Sequence, residues 1–326
     1  MPAPLTATAI AHPNIALVKY WGKRDDAANL PATGSLSVTL DAMRTRTRVC
    51  FEPGLGADRV RLDGQEDAAT SRRVSACLDL LRRRAGVAHG AVVESDNDFP
   101  TGAGLASSAS GFAALVTAAD AALGLGLPRE ELAQVARIGS GSAARSLFGG
   151  FALLRNQADG GVTVGPLLAP EAWPLRVVIA ITSALPKEVG SRDGMAASRA
   201  TSPYYEAWLH SHAADLEAGV RHVQGRDFAA LATVAEHSCL KMHAVMLTTQ
   251  PPLLYWLPAT LACLQALQAL RRAGTPVFFT IDAGPQVKAV CEPAAVSAVR
   301  AALAAVPGVT RVIDSGLGPG AYRANG

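Results

Sequence analysis

Charge is scarce in this 326-residue chain: Asp, Glu, Lys and Arg make up 17% of it, 49% is hydrophobic, and the formal net charge is only +3. Such a composition excludes intrinsic disorder and supplies an ample core for one large or two medium domains. The basic residues are dispersed, so no broad cationic face for nucleic acid is expected. The one basic run, Arg82-Arg83-Arg84, falls in a helical pattern and reads as a solvated helix end. Cysteine is sparse as well. Cys50, Cys77, Cys239, Cys263 and Cys291 are odd in number and far apart, which speaks against a disulfide framework or a zinc site and for a reducing cytoplasm. No basic-then-apolar leader is visible, and charged residues or Gly interrupt every apolar run before membrane-spanning length. A soluble cytoplasmic protein with neither membrane nor nucleic acid as partner is the expectation.

Several catalytic signatures are missing too. There is no Gly-x-Ser-x-Gly elbow, no Gly-x4-Gly-Lys-Ser/Thr loop, and no metal-type spacing among the histidines, with His210 and His212 read as lying on a helix exterior. No repeat of solenoid length is present.

What the chain does contain is a mixture of strands and helices. Strand-like runs occur at Thr6–Ala11, Ile15–Val18, Leu36–Leu40 and Thr45–Phe51, and Asp63-Gly64 reads as a hairpin turn after Val60-Arg61-Leu62. A helix is predicted over Ala68–Arg84, with Val74, Cys77, Leu78 and Leu81 on its buried face and Gly86 as its stop. Val92-Val93 marks a strand, helices follow at 107–123 and 129–138, and Phe151–Leu154 reads as a strand. Pro166 to Pro174 reads as a connector at a domain seam, dividing the chain into 1–170 and 171–326. Beyond it, Val177–Ile181 is a buried strand, helices cover about 203–222, 226–247 and 256–273, and strands at Pro276–Ile281, Gln286–Cys291 and Thr310–Ile313 flank a helix at Ala294–Ala305. The irregular alternation implies an α+β fold.

The most informative stretch is Pro100-Thr101-Gly102-Ala103-Gly104-Leu105-Ala106-Ser107-Ser108-Ala109-Ser110. A glycine loop lets backbone amides approach a ligand, and the following helix start offers free N–H donors with partial positive charge. Together they form a cradle for polyphosphate, and the serine hydroxyls add ligands for phosphate or Mg²⁺. A turn into a buried helix is the competing account. Four further segments carry polar groups that folding alone does not require. Asn14, Lys19 and Lys23 lie on or beside an apolar strand and aim at an anionic ligand, or the lysines merely snorkel to solvent, the better account of that segment alone. Gly139-Ser140-Gly141-Ser142-Ala143-Ala144-Arg145 combines hydroxyls with a guanidinium suited to a carboxylate, or is a helix cap with a surface arginine, again the better account alone. Ser191-Arg192-Asp193-Gly194-Met195, after Lys187, reads as a mobile anion-binding loop or a solvated turn. Asp282, in Ile281-Asp282-Ala283-Gly284-Pro285, ends an apolar strand where a carboxylate can orient a hydroxyl or accept its proton, or merely form an Asx turn.

Taken in order, these segments resemble the GHMP small-molecule kinase superfamily and, within it, the diphosphomevalonate decarboxylase family. The segments are Asn14-Ile15-Ala16 with Lys19-Tyr20-Trp21-Gly22-Lys23, Ser35 to Leu40, Asn97 to Ser110, Gly139 to Arg145, and Asp282 to Pro285. The resemblance spans nearly the whole chain and implies a two-lobed α+β fold around a deep central cleft, with an ATP-binding first half and a GHMP-type second half. It implies an enzyme that uses ATP and Mg²⁺ to phosphorylate the tertiary hydroxyl of mevalonate diphosphate. Loss of that phosphate with carbon dioxide then gives isopentenyl diphosphate. By the same resemblance Asp282, Lys19 and Arg145 are catalytic. Asn14, Tyr20, Lys23, Ser140, Ser142, Ser191 and Arg192 hold substrate. Ser95, Asn97, Gly102, Gly104, Leu105, Ala106, Ser107 and Ser108 hold the nucleotide, Ser108 also serves as metal ligand, and a homodimer is implied. One departure concerns Ala32-Thr33-Gly34, where the family usually carries an Asn or Ser pair in a loop read as facing substrate. The alternatives are a decarboxylase of the monophosphate, a kinase that does not decarboxylate, a dinucleotide-binding oxidoreductase and a non-catalytic scaffold. Ser107 in the third glycine position counts against the oxidoreductase.

Overall fold

The computed structural model describes residues 5–99, 104–185 and 187–324. The chain opens with β1 (Leu5–Ala11), β2 (Asn14–Val18), a short hairpin of β3 (Lys23–Asp25) and β4 (Leu30–Pro31), β5 (Ser35–Thr39), β6 (Thr45–Glu52) and β7 (Arg59–Leu62). Helix α1 (Ala68–Ala85), β8 (Gly90–Asn97), α2 (Ser107–Leu123) and α3 (Arg129–Gly139) follow, then a 3-10 turn over Ala143–Leu147, β9 (Phe151–Asn156) and β10 (Val162–Leu168). The rest comprises β11 (Arg176–Ile181), α4 (Ser191–Thr201), α5 (Tyr205–Gly225), α6 (Phe228–Leu247), α7 (Pro258–Arg272), β12 (Val277–Thr280), β13 (Val287–Cys291), α8 (Val296–Ala304), β14 (Arg311–Ser315) and β15 (Tyr322–Arg323).

Three sheets carry the structure, in the orders β15-β1-β6-β8-β7, β10-β9-β5-β2 and β12-β13-β11-β14. Alternation along β6 puts Val49 and Phe51 beneath the helical layer, where they join Val74, Leu78 and Leu81 of α1 and most of α2 in one core. Each fully buried aromatic or aliphatic side chain there contributes about 2 kcal/mol. A second core joins the two halves: Ile15, Leu17, Leu36 and Phe151 pack with Val177, Ile179, Phe278 and Val290 across the facing sheets, under α5 and α6. The opposite face of the third sheet is covered by α7 and α8. Residues 316–324 return to the first half. β15 pairs with β1 through Ala9–Arg323 and Ile10–Tyr322, and Gly318 bonds Thr39 and Gly150 through its backbone.

The starts of α1 and α2 are capped differently. Asp67 caps α1 by accepting from the Thr70 amide, and Gly86 closes it in the left-handed conformation, as the sequence predicts. At α2 the N-cap is Ala106, itself left-handed (φ 60°), and its side chain makes no capping hydrogen bond. Ala106, Ser107 and Ser108 at this helix start border the central cleft.

Several expectations are corrected. The Asp63-Gly64 turn does close a two-residue hairpin, with Leu62 and Gln65 exchanging backbone hydrogen bonds, but its second arm goes no further: the chain enters α1, and β7 pairs in parallel with β8, a crossover unit. Pro166 is not in a connector but within β10, where the register shifts between Pro166 and Leu168. Ser191–Met195 is not a loop, because it begins α4. Arg82 is no solvated end: Asp58 holds it at 2.6 Å and Asp79 adds a second contact. His212 is buried, not exterior.

Candidate active site

The facing sheets leave a cleft of about 880 Å³ at the ends of β2 and β12, lined also by the start of α2, the Gly139–Arg145 segment and the first turn of α4. Apolar strands carry the reactive groups there. Asp282 follows β12, and Lys19 follows the fully buried β2. Thr280 Oγ1 donates to the Ala16 carbonyl at 3.0 Å and so binds the two strand ends together. Lys19 Nζ then donates to Asp282 Oδ1 at 2.6 Å, with the lysine side chain 1% and the carboxylate 25% exposed. Helix α6 and helix α5 fix the Lys19 backbone: Ser238 Oγ accepts from its amide at 3.0 Å, and His212 Nε2 lies 2.8 Å from its carbonyl.

A second lysine, unmarked in the sequence, reaches the same carboxylate. Lys288 on β13 places Nζ 3.3 Å from Asp282 Oδ2 and donates to the Gly104 carbonyl at 3.0 Å. Burial alone would raise the Asp282 pKa. The two ammonium groups outweigh it and hold the carboxyl well below the usual carboxylate range. Asp282 is thus a stable anion, better at orienting and late proton acceptance than at deprotonating a free alcohol.

Arg145 is 3% exposed and stands on the 3-10 turn, with Nε donating to Asn14 Oδ1 at 3.0 Å and Nη1 to Ser35 Oγ at 2.6 Å. Burial pushes its guanidinium down to about 10. Among the described residues no carboxylate lies within ion-pair distance of it. A buried cation without an acid is costly unless an anionic ligand completes it. Tyr20, whose ring lies 6.0 Å from that guanidinium, has its hydroxyl buried without a hydrogen-bond partner among the described residues. Burial raises this phenol to about 12, so it remains a donor.

The wider lining is strongly cationic: Lys19, Lys23, Arg72, Arg73, Arg145, Lys187 and Arg192 against Asp26, Asp193 and Asp282. Such an excess fits polyphosphate. Ser140, Ser142, Ser191 and Arg192 all border the same cleft, and Ser108 Oγ lies 3.3 Å from Ser140 Oγ. The start of α2 and the serine-rich segment therefore face each other. Lys187 donates to Ser191 Oγ at 2.7 Å and to the Ala283 carbonyl at 3.0 Å. Arg72 and Arg73 enter from α1. Sequence reading noted Lys187 only as preceding the Ser191–Met195 segment and missed Arg72, Arg73 and Lys288, because each became meaningful only once tertiary packing aimed it.

Beyond the loop, a smaller cavity of about 220 Å³ is walled by Leu62, Phe112 and Leu115 and edged by Ser95 and Asn97. It shares Ser107, Ser108 and Arg73 with the main cleft. Ser95 Oγ lies 2.8 Å from Thr47 Oγ1, and Asn97 Oδ1 accepts from Thr45 Oγ1 at 2.5 Å. Gly104, Ala106, Ser107 and Ser108 border the main cleft, whereas the Leu105 side chain is buried in the central core, leaving only its backbone for a ligand. Gly102 lies outside the described residues. Asn14 borders the cleft, but its amide is engaged by Arg145, Ser146 and Ser142. None of Ala32, Thr33 and Gly34 lines the cleft; Gly34 packs against Leu216 and the Leu154 carbonyl, so this departure is turned away from any ligand there.

Lobes meeting at a cationic cleft, with a glycine loop at an open helix start, are the hallmarks of a GHMP-type small-molecule kinase fold. Comparison with known proteins narrows this. Residues 11–163 match the diphosphomevalonate decarboxylase-like N-terminal domain, and residues 177–315 match the mevalonate 5-diphosphate decarboxylase C-terminal domain. The chain belongs to the diphosphomevalonate decarboxylase family. It is 38% identical over 307 residues to the diphosphomevalonate decarboxylase of Rattus norvegicus, covering 87% of this chain and 76% of that one. The crystal structure of mevalonate diphosphate decarboxylase from Staphylococcus aureus superposes with a TM-score of 0.92 at 37% identity, covering 99% of both chains. A solved complex of MDDEF with MVAPP, AMPPCP and magnesium gives 0.90 at 38% identity, covering 99% of this chain and all of that one.

Proposed function

We propose that this protein is an ATP-dependent diphosphomevalonate decarboxylase, converting mevalonate 5-diphosphate to isopentenyl diphosphate with release of ADP, phosphate and carbon dioxide. The observation that carries this reading is a buried Arg145 with no acidic partner, in the cleft where Lys19 grips Asp282. A decarboxylase needs a cation for the substrate carboxylate and, apart from it, an anion for the hydroxyl. In our reading Arg145 receives the carboxylate, and the Asp282 oxygens align the tertiary hydroxyl. Lys19 and Lys187 balance the charge on the incoming phosphoryl group.

The hydroxyl oxygen attacks the γ-phosphorus as the bond to ADP breaks, and its proton passes toward Asp282 late in that step. The carbon–oxygen bond then breaks with the phosphate as leaving group. The electron pair of the carboxylate carbon–carbon bond forms the new double bond, and carbon dioxide departs. Positioning supplies much of the acceleration, since both reactants are held in one enclosed site.

Tyr20, Lys23, Ser140, Ser142, Ser191 and Arg192 would hold the substrate diphosphate, with Arg72 and Arg73 adding charge. Asn14 acts by holding Arg145. The backbone of residues 104–108 would cradle the ATP phosphates, with the nucleoside in the smaller cavity by Ser95 and Asn97. The described residues contain no cluster of three His, Cys, Asp or Glu able to chelate a metal. Mg²⁺ therefore fits as a phosphate-borne ion with the Ser108 hydroxyl as its protein ligand, and it would screen phosphate charge. We place the boundary between the two GHMP-type halves near residue 170. Among the described residues no helix is long and apolar enough to cross a membrane. We further propose a cytoplasmic homodimer, which five buried free cysteines suit in its reducing compartment.

The test is purified protein with ATP, Mg²⁺ and either mevalonate diphosphate or its monophosphate, following ADP and carbon dioxide together. Equal release of both from the diphosphate and neither from the monophosphate is expected. ADP without carbon dioxide would leave only a kinase.

A further inference from the structure

Among the described residues, Lys288 pairs with Asp282 without bordering the cleft. Its side chain is 1% exposed, and it rises from β13, which is paired on both edges by β12 and β11. It makes two contacts of different kinds. Nζ pairs with Asp282 Oδ2 at 3.3 Å and donates to the carbonyl of Gly104 at 3.0 Å. Gly104 itself lies directly on the turn that carries Asp282: a Cβ added at Gly104 would sit 3.0 Å from Gly284 Cα. A buried ammonium with three donors is an expensive group to place in a sheet. The ammonium meets acceptors on different segments, the Asp282 carboxylate and the Gly104 carbonyl, so one side chain ties the two together.

We propose that Lys288 is a positioning residue for phosphoryl transfer, fastening the glycine loop to the catalytic carboxylate so that nucleotide and hydroxyl meet at a fixed separation. The inference rests on the decarboxylase reading above. Of the two lysines Lys19 borders the cleft and donates to Oδ1, whereas Lys288 lies behind Oδ2 as an ion pair and gives its hydrogen bond to the Gly104 carbonyl. Its bond to the Gly104 carbonyl sets the height of the loop from which backbone amides meet the phosphates. An error of a fraction of an ångström at either contact lengthens the reacting distance and lowers the rate steeply.

Lys288→Met keeps the volume and removes charge and donors. Its expected signature is a split. kcat falls by about 10- to 100-fold and KM for ATP rises by about three- to tenfold, while KM for mevalonate diphosphate stays within about twofold. Lys288→Arg, which can still reach both acceptors, should recover most of kcat and the ATP KM. Equal rises in both KM values, an unchanged ATP KM, or no recovery by Lys288→Arg would overturn the proposal. Should Lys288→Met not fold, Asp282→Asn/Lys288→Met removes the buried pair together and is compared with Asp282→Asn for binding of a non-hydrolysable ATP analogue. Affinity weaker by about three- to tenfold in the double variant supports the proposal, and equal affinity overturns it. A wild-type enzyme that releases no carbon dioxide defeats the decarboxylase reading instead, and the analogue-binding comparison still decides the role of Lys288.

Discussion

Arg145 Nε donates to Asn14 Oδ1 at 3.0 Å, joining residues 131 positions apart in the chain. The Asn14 amide also donates to Ser146 Oγ at 2.8 Å and to the Ser142 carbonyl at 3.1 Å. Asn14 is thus a bracket for the guanidinium. Asn14→Ala should leave Arg145 with a lost buried partner, lower stability by about 1 to 3 kcal/mol and reduce kcat by about tenfold or more. Thermal unfolding and steady-state kinetics measure the two effects separately.

Replacing the carboxylate itself acts on chemistry. Asp282→Asn keeps the shape but leaves Lys19 and Lys288 buried without their anion. Turnover should fall by about 1,000-fold or more, while affinity for a non-hydrolysable ATP analogue stays within a few-fold because the phosphates supply replacement charge. Calorimetric titration alongside turnover checks this; normal turnover would remove Asp282 from the mechanism.

Lys187 gives the site a pH dependence. Burial pushes its ammonium down to about 8, against an upward pull from Asp282 and a further downward push from Lys288. The charge that attracts phosphate is present below that pH and is lost as pH rises through it. ATP affinity of the free enzyme should therefore decline on the alkaline side of about pH 8. Lys187→Arg, which stays charged, should flatten this decline when affinity is titrated between about pH 6.5 and 9.5.

Gly22 tests the packing behind the Lys19–Lys23 segment. Its φ is +101°, and a Cβ there would meet the Tyr205 hydroxyl at 2.1 Å. Gly22→Ala combines backbone strain with a clash against a buried ring, so a loss of about 2 to 4 kcal/mol is expected in chemical denaturation. A stability equal to wild type would mean that Tyr205 and the loop part at no cost.

Much of the site was legible because the chemistry sits at the ends of apolar runs. Asp282 after Val277–Ile281 and Lys19 after Asn14–Val18 stood out by position, although a snorkelling lysine and an Asx turn accounted for the same residues until the segments were taken together. Lys288 gave no such signal, since a lysine in a strand pattern looks like one that reaches solvent. α4 was hidden by Gly190 and Gly194, which read as turn residues. Gly194 is in the helix because Leu253, Trp21 and Tyr255 pack within 3.1 to 3.2 Å of where its Cβ would be. β10 was masked by Gly165 and Pro166, which its edge position and register shift accommodate. His212 turned inward because the Lys19 carbonyl offered it a partner. In each case a long-range contact overrode the local pattern.

The pairing of β15 with β1, and of Gly318 with Thr39 and Gly150, has a consequence for biosynthesis. The sheet that begins with residue 5 lacks its outer strand until residues 322–323 have been translated. A nascent first half consequently emerges with an unsatisfied edge, and independent maturation of that half on the ribosome is disfavoured. Both halves must be synthesised before either is finished.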